Sequence, residues 1–382
     1  PLSTFTTQCL NECLLLIVNS DTFSVKILSN DGVTCVEYIK AVVNCAVLLS
    51  TQDETEKTNV LTCVSKQLIP FMLTNNVQIS NAMSDALAKL FAHTLDDDLN
   101  DAKASVIADI VTFCADSLTA AHRHAWPDML MTLASLASAL GTNALPLLEA
   151  PLQQVWLLLD QDDVSTTAMS NDVRHAARTF AGAVIRSIGP SRFLAFQASN
   201  WKESDDDVPV RAWLLPLLSE HVSDANHVEL ALFGDMLTLL KKMEEKIEEL
   251  VVDENAAVQR KRLQQRRLQI WALFPSMCNA RPEASNVSIV FRQIAPVLGG
   301  IIENDDEVRR LVVNGLSSLI ERNIEIIDQH NDDDDETIEL QAARTNIAAI
   351  APFAKNFLPL LVNTLALYHD PSAPPRTASV PT

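Results

Sequence analysis

Glycine is scarce in this chain, with 8 among 382 residues, and tyrosine occurs only twice. Strands draw on β-branched and aromatic side chains, and tight hairpins draw on glycine. With leucine and alanine abundant, the shortage points to helices joined by short polar turns. The glycine-built nucleotide signatures are also missing. There is no Gly-x-x-x-x-Gly-Lys-Ser/Thr loop, no Gly-x-Gly-x-x-Gly turn and no Gly-x-Ser-x-Gly elbow.

Metal chemistry finds little to use. His122 and His124 flank Arg123, and His221 and His227 lie six apart, so neither pair has the i, i+4 spacing that puts two ligands on one helix face. The seven cysteines are odd in number and sit mostly in apolar helical patterns, as small hydrophobes of a reduced protein do. Cys9 and Cys13 share a helix face but have no nearby Cys or His pair to complete a zinc site. No cofactor is expected, and nothing asks for an enzyme.

No N-terminal signal peptide is visible. The longest uncharged stretch, Met129 to Leu148, is punctuated by Thr132, Ser135, Ser138, Gly141, Thr142, Asn143 and Pro146, so a soluble chain with no membrane partner is expected. The first residue is Pro, and residues 369–382 are rich in Pro, Ser and Thr, which fits a linker in a piece of a longer protein. Forty-nine acidic against 29 basic residues give a net charge of −20, unlike a general nucleic-acid binder and suited to a partner with basic segments.

What is present is a repeated helix, turn, helix. Stretches opening at Asn76, Asp172 and Asp306 each begin with Asn or Asp, continue with Val77, Val173 or Val308, and then run apolar at helical spacing. This is the grammar of a HEAT-type second helix. The acid or amide is expected to cap the helix and the Val to pack between repeats, while Arg174 and Arg309 reach a neighbouring carboxylate. Pro70, Pro151 and Pro296 are expected to bend the first helices. The fold class is therefore all-α, a right-handed α-solenoid of eight to ten degenerate HEAT or armadillo-like hairpins.

Acidic clusters at 96–98, 160–163, 203–207, 303–307 and 332–336 separate the apolar periods. They read as solvated loops and helix N-termini, where the dipole favours carboxylates. None has the alternating ligands and glycine of a calcium loop, and Ser204 before three Asp is a candidate phosphate acceptor. One segment reverses the sign: Gln259-Arg-Lys-Arg-Leu-Gln-Gln-Arg-Arg-Leu-Gln-Ile-Trp271. As a helix it places Leu263, Ile270 and Trp271 on one stripe, with Leu268 at its edge. Arg260, Lys261, Arg262, Arg266 and Arg267 surround the stripe. They either balance Glu244, Glu245, Glu248 and Glu249 upstream or form an RNA-phosphate patch or nuclear localisation element.

Four segments carry a family resemblance: Ser187-Ile-Gly-Pro-Ser-Arg-Phe-Leu194, Arg211-Ala-Trp-Leu-Leu-Pro-Leu-Leu218, Trp271-Ala-Leu-Phe-Pro-Ser-Met-Cys278 and Ala354-Lys-Asn-Phe-Leu-Pro-Leu-Leu361. In this order, from about Trp126 to Leu367, they resemble the helical block of the ribosomal RNA-processing protein 12 family. The resemblance divides the chain into helical repeats over 1–120, the family block over 121–368 and a linker over 369–382. It gives Gly189, Pro190, Trp213, Pro216, Trp271, Pro275, Phe357 and Pro359 as marked residues that serve packing between repeats. The acidic insertion at 331–336 and the stretch 224–254 depart from the family pattern.

The resemblance implies a non-catalytic scaffold in ribosome biogenesis, supporting maturation of precursor ribosomal RNA and nuclear export of pre-ribosomal subunits. Its partners would be pre-ribosomal particles, made of precursor RNA, ribosomal proteins and assembly factors, with a Ran-type GTPase or nucleoporins as further candidates. It would reside in the nucleus and nucleolus and shuttle to the cytoplasm. The alternatives are a karyopherin-like transport receptor and a cytoplasmic scaffold of a phosphatase or kinase; an enzyme ranks last.

Overall fold

A computed structural model describes residues 31–51, 54–95, 99–164, 169–196, 213–250, 256–280, 287–330 and 337–369. Cys9, Cys13, Ser204, the acidic runs 96–98, 203–207 and 332–336, and residues 370–382 lie outside them. The described residues hold fifteen α-helices, short 3-10 segments and no strand. The chain divides at Gly189/Pro190 into two compact units.

The first unit contains α1 (Gly32–Ser50), α2 (Glu54–Leu68), α3 (Val77–Thr94), α4 (Asp101–Ser117), α5 (Trp126–Leu140), α6 (Ala144–Val164) and α7 (Asn171–Ile188). Helices α1, α3, α5 and α7 pack in succession as one layer, and α2, α4 and α6 form a second layer against it. Apolar side chains at helical spacing fill the space between layers, among them Leu87, Leu90 and Phe91 of α3, Leu130 and Leu133 of α5, and Phe180 and Val184 of α7. Buried hydroxyls are satisfied within this core: Ser187 Oγ lies 2.8 Å from the Ala137 carbonyl of α5.

The second unit contains α8 (Pro190–Ala195), α9 (Leu214–His221), α10 (Leu230–Glu249), α11 (Ala257–Cys278), α12 (Val287–Asn304), α13 (Asp306–Gln329), α14 (Ile338–Ile350) and α15 (Ala354–His369). Helices α9, α11 and α13 form one layer and α10 and α12 the other, with α14 against α12 and α13 and α15 against α12. This two-layer hairpin stacking is the HEAT-type solenoid arrangement anticipated above.

Helix starts follow the side chains that can satisfy free backbone N–H groups. The carboxylates and amides of Asp31, Asn76, Asn100 and Asp305, and the hydroxyls of Ser170 and Thr337, cap α1, α3, α4, α13, α7 and α14. Gly141 and Gly189, at φ of +53° and +85°, end α5 and α7 in backbone that only glycine enters without strain.

Several expectations need correction. Asp172 and Asp306 are first-turn residues, and the caps are Ser170 and Asp305. Val173 and Val308 are buried, but Val77 is 63% exposed because the buried stripe of α3 runs through Ile79, Met83, Leu87 and Leu90. Pro151 and Pro296 lie inside α6 and α12, whereas Pro70 sits in the 3-10 segment Ile69–Leu73 that follows α2. The uncharged stretch 129–148 is no single helix, since it breaks at Gly141. By length and composition, Gly32–Ser50, Ala120–Asp160 and Ile338–Thr364 are apolar enough to cross a bilayer. In the fold Cys35, Ile39 and Val42 of the first, Leu130 and Leu133 of the second, and Leu340 and Ala343 of the third are buried.

A polar pair joins α13 to α14 inside the core. Asn346 donates to Asn323 Oδ1 at 3.1 Å, and Asn323 donates to the Leu319 carbonyl at 2.6 Å. Truncating one partner strands the other, at about 1–3 kcal/mol, whereas removing both is nearly neutral. Asn346→Ala should therefore lower the chemical denaturation midpoint, and Asn323→Leu with Asn346→Leu should restore most of it. A double variant that loses as much as the two single variants summed would mean that the pair contributes nothing of its own.

Candidate nucleic-acid interface

The basic segment forms the first half of α11. Leu263, Ile270 and Trp271 are buried as one stripe, with Leu268 half-buried beside it. The stripe continues into Phe274 and Met277. Trp271 meets Phe233 of α10 edge-on at 5.4 Å between ring centroids, and Phe274 meets the same ring at 5.0 Å.

The five cations do not share one environment. Lys261 and Arg262 are exposed, and Arg260 is half-buried. Arg266 is half-buried and engaged in interactions of its own. Arg267 is turned inward and only 15% exposed. Its Nε donates to Glu244 Oε1 of α10 at 2.9 Å, and its Nη2 donates to Asp305 Oδ2. Asp305 Oδ1 meanwhile caps α13 by accepting from the N–H groups of Glu307 and Val308, at 3.1 and 3.0 Å. One guanidinium thus ties α10 and α11 to the N-terminus of α13.

Burial alone would lower the Arg267 pKa; the hydrogen bonds and charges of Asp305 and Glu244 outweigh it and raise it. The inward turn was legible, because Arg267 is four residues after Leu263 and four before Trp271 and so lies on the buried stripe. The acidic run at 303–307, read as a solvated loop or helix start, supplies this partner.

Arg267→Met should destabilise the second unit by about 1–2 kcal/mol, because Asp305 is left charged and mostly buried while half-exposed Glu244 is screened by water. Asn caps as well as Asp, so Asp305→Asn keeps the α13 cap. A double-mutant cycle with Arg267→Met should return a coupling of about 1 kcal/mol. Strict additivity of the two substitutions would exclude the bridge as a stabilising contact.

The second repeat-family Arg follows the same logic. Arg309 pairs with Asp306 one turn back, and it donates to the Ile302 carbonyl and, at 3.1 Å, to the Glu303 carbonyl. It locks the turn between α12 and α13.

The marked residues occupy distinct places. Gly189 ends α7 and Pro190 opens α8. Trp213 and Trp271 are buried, and Pro216 is half-buried in α9. Phe357 is buried against Phe291 of α12, at 6.3 Å between rings. Pro275 lies inside α11 with its Cα facing Gly315 of α13. Pro359 lies inside α15 and is exposed among the described residues.

The buried thiols of Cys114 and Cys35 are pushed up to about 12 and about 11, by burial in both and by Asp31 as well at Cys35; burial raises Cys278 too. These are packing residues, as expected. Among the described residues no group of three or more His, Cys, Asp or Glu is arranged to hold a metal ion.

Helical hairpins stacked in two layers define a HEAT-type repeat protein. The family profile of ribosomal RNA-processing protein 12, HEAT repeats, matches residues 73–367. The chain belongs to that family. The match starts upstream of Trp126, where motifs alone placed it.

The human RRP12-like protein is 28% identical over 274 residues, covering 71% of this chain and 18% of its own length. Ribosomal RNA-processing protein 12 of Saccharomyces cerevisiae is 22% identical over 310 residues, covering 77% and 24%. A Schizosaccharomyces pombe relative of the same designation is 26% identical over 266 residues, covering 69% and 22%. The chain spans about a fifth of the length of these relatives.

Proposed function

We propose that this chain is a non-catalytic repeat segment of a ribosome-biogenesis factor, one that supports processing of precursor ribosomal RNA and nuclear export of pre-ribosomal subunits. The observation that carries the reading is the family match across residues 73–367, on a fold that offers long helical surfaces. The relatives' designation supplies the ribosomal RNA connection. Its partners are pre-ribosomal particles, its site of action is the nucleus and nucleolus, and the net charge of −20 suits the basic tails of ribosomal proteins.

Of the basic residues on α11, Arg260, Lys261 and Arg262 are the RNA-facing set; Arg267 serves the fold. Each cation on a single-strand phosphate contributes about 0.7 to the slope of log affinity against log salt. Replacing Arg260, Lys261 and Arg262 with Ala should therefore flatten that slope by about 2 and weaken RNA binding, leaving the denaturation midpoint in place. An unchanged slope removes the RNA role from α11. Release of a bound cargo by a Ran-type GTPase loaded with GTP, without RNA capture, would instead favour the karyopherin-like carrier.

A further inference from the structure

A second cationic feature lies far along the sequence from α11, in the first unit. Residues Ala120–Ala125 form a 3-10 turn between α4 and α5. No acidic residue occurs from Ser117 to Pro127, in a chain whose net charge is −20. The turn carries His122, Arg123 and His124, followed by Trp126. Arg123 and His124 are exposed, and His122 and Trp126 are half-exposed.

The group is held in place by its backbone. The Thr119 carbonyl accepts from the Trp126 indole N–H at 3.0 Å and from the His122 backbone N–H at 3.1 Å. The indole plane is therefore fixed. Arg123 sits over it, with its guanidinium carbon 5.8 Å from the ring centroid. His122 and His124 meet edge-on at 6.4 Å between centroids, and His124 Nε2 lies 3.4 Å from the Leu73 carbonyl.

Among the described residues Arg123 has no carboxylate partner. The nearest acid in sequence on the α5 side, Asp128, is engaged elsewhere. It is half-buried toward α3, where it accepts a hydrogen bond from Ser80 and lies close enough to Asp85 to feel its charge.

Four planar side chains of cationic or aromatic character thus share one exposed turn. We propose that this turn, His122, Arg123, His124 and Trp126, is a contact site for single-stranded RNA. The outer plane of the Arg123 guanidinium takes an unpaired base, as Arg and aromatic planes do in single-strand recognition. The guanidinium edge and the imidazoles donate to the flanking phosphates. An acidic peptide would satisfy the charge but would leave the planar faces unused; a paired helix would hide its base faces.

The proposal rests on the reading that this chain meets ribosomal RNA, and it extends that reading to the first unit. The test uses the full chain and a fluorescein-labelled single-stranded oligouridylate, followed by anisotropy. Replacing His122, Arg123 and His124 together with Ala should raise the dissociation constant about tenfold, the loss of one stacked base and its phosphate contacts. Circular dichroism should be unchanged, because these side chains are surface groups of a turn. Ultraviolet crosslinking of the wild-type chain should label the peptide containing Trp126.

If the variant binds as tightly as the wild type while the Arg260, Lys261 and Arg262 variant is weakened, the turn is not an RNA site and the α11 reading stands. If the wild type binds no oligouridylate, both fall. Displacement of the probe by polyglutamate at equal charge concentration would also overturn the proposal, because charge alone would then account for binding.

Discussion

Trp271→Ala is expected to cost the second unit about 4 kcal/mol, within the range for emptying a buried Trp site. The side chain is 1% exposed and central to the contact of α10 with α11. Removing it deletes the edge-on contact with Phe233 and leaves a void between two rigid layers that cannot close without moving both. Among the described residues the indole N–H has no hydrogen-bond partner, so it adds nothing that an apolar ring would lose. Trp271→Phe should accordingly cost much less than Trp271→Ala. Guanidinium titrations followed by far-ultraviolet circular dichroism read both numbers. A loss below about 1 kcal/mol for the alanine variant would mean that this core does not hold the layers together.

The second large effect is expected at Gly315, in the middle of α13. A Cβ built there would lie 2.5 and 2.7 Å from ring atoms of Phe274 and 3.2 Å from the Cα of Pro275. The Phe274 ring is fully buried, and the Pro275 backbone cannot yield independently of α11. Gly315 is thus a place where α13 and α11 approach closely. Glycine inside a helix is about 1 kcal/mol worse than alanine, and overpacking a tight core costs about 1–3 kcal/mol. The second term wins, so Gly315→Ala should destabilise by about 1 kcal/mol and Gly315→Leu by about 3 kcal/mol. Gly300 of α12 provides the opposite case, since a Cβ there meets nothing within 4 Å. Gly300→Ala should stabilise by up to about 1 kcal/mol. The same sign at both glycines would refute the packing argument.

Much of this architecture was legible because local and tertiary demands coincide. The stripe Leu263, Ile270 and Trp271 predicts both a helix and its buried face, and the structure buries all three. Scarce glycine and abundant Leu and Ala announced the all-helical fold. Caps were less legible. An Asn or Asp before a Val looks the same whether it closes the helix or occupies its first turn, and only backbone geometry separates Asp305 from Asp306. Val77 misled for a related reason, because register and not residue type decides which side of α3 faces the layer.

The basic segment shows the limit most clearly. Counting charge groups five cations, whereas helical phase assigns Arg267 to the core side, where Glu244 and Asp305 wait on two other helices. Neither acid is near Arg267 in sequence, so the partners are a tertiary fact. Gly315 is a similar case: its neighbours Phe274 and Pro275 lie about forty residues away, and nothing local requires a glycine there. The turn at 120–126 drew notice only for the metal spacing of its imidazoles, and the stacking of Arg123 on Trp126 emerges from the fold.

The most direct test of the account is a tagged pull-down of the full-length protein from nuclear extract, with sequencing of the bound RNA. The account predicts enrichment of precursor ribosomal RNA together with ribosomal proteins and assembly factors. It further predicts a weaker yield when Arg260, Lys261 and Arg262 are replaced. Recovery of a single soluble cargo or an enzyme, with no ribosomal RNA, would contradict it and assign the chain to a carrier or a regulatory scaffold.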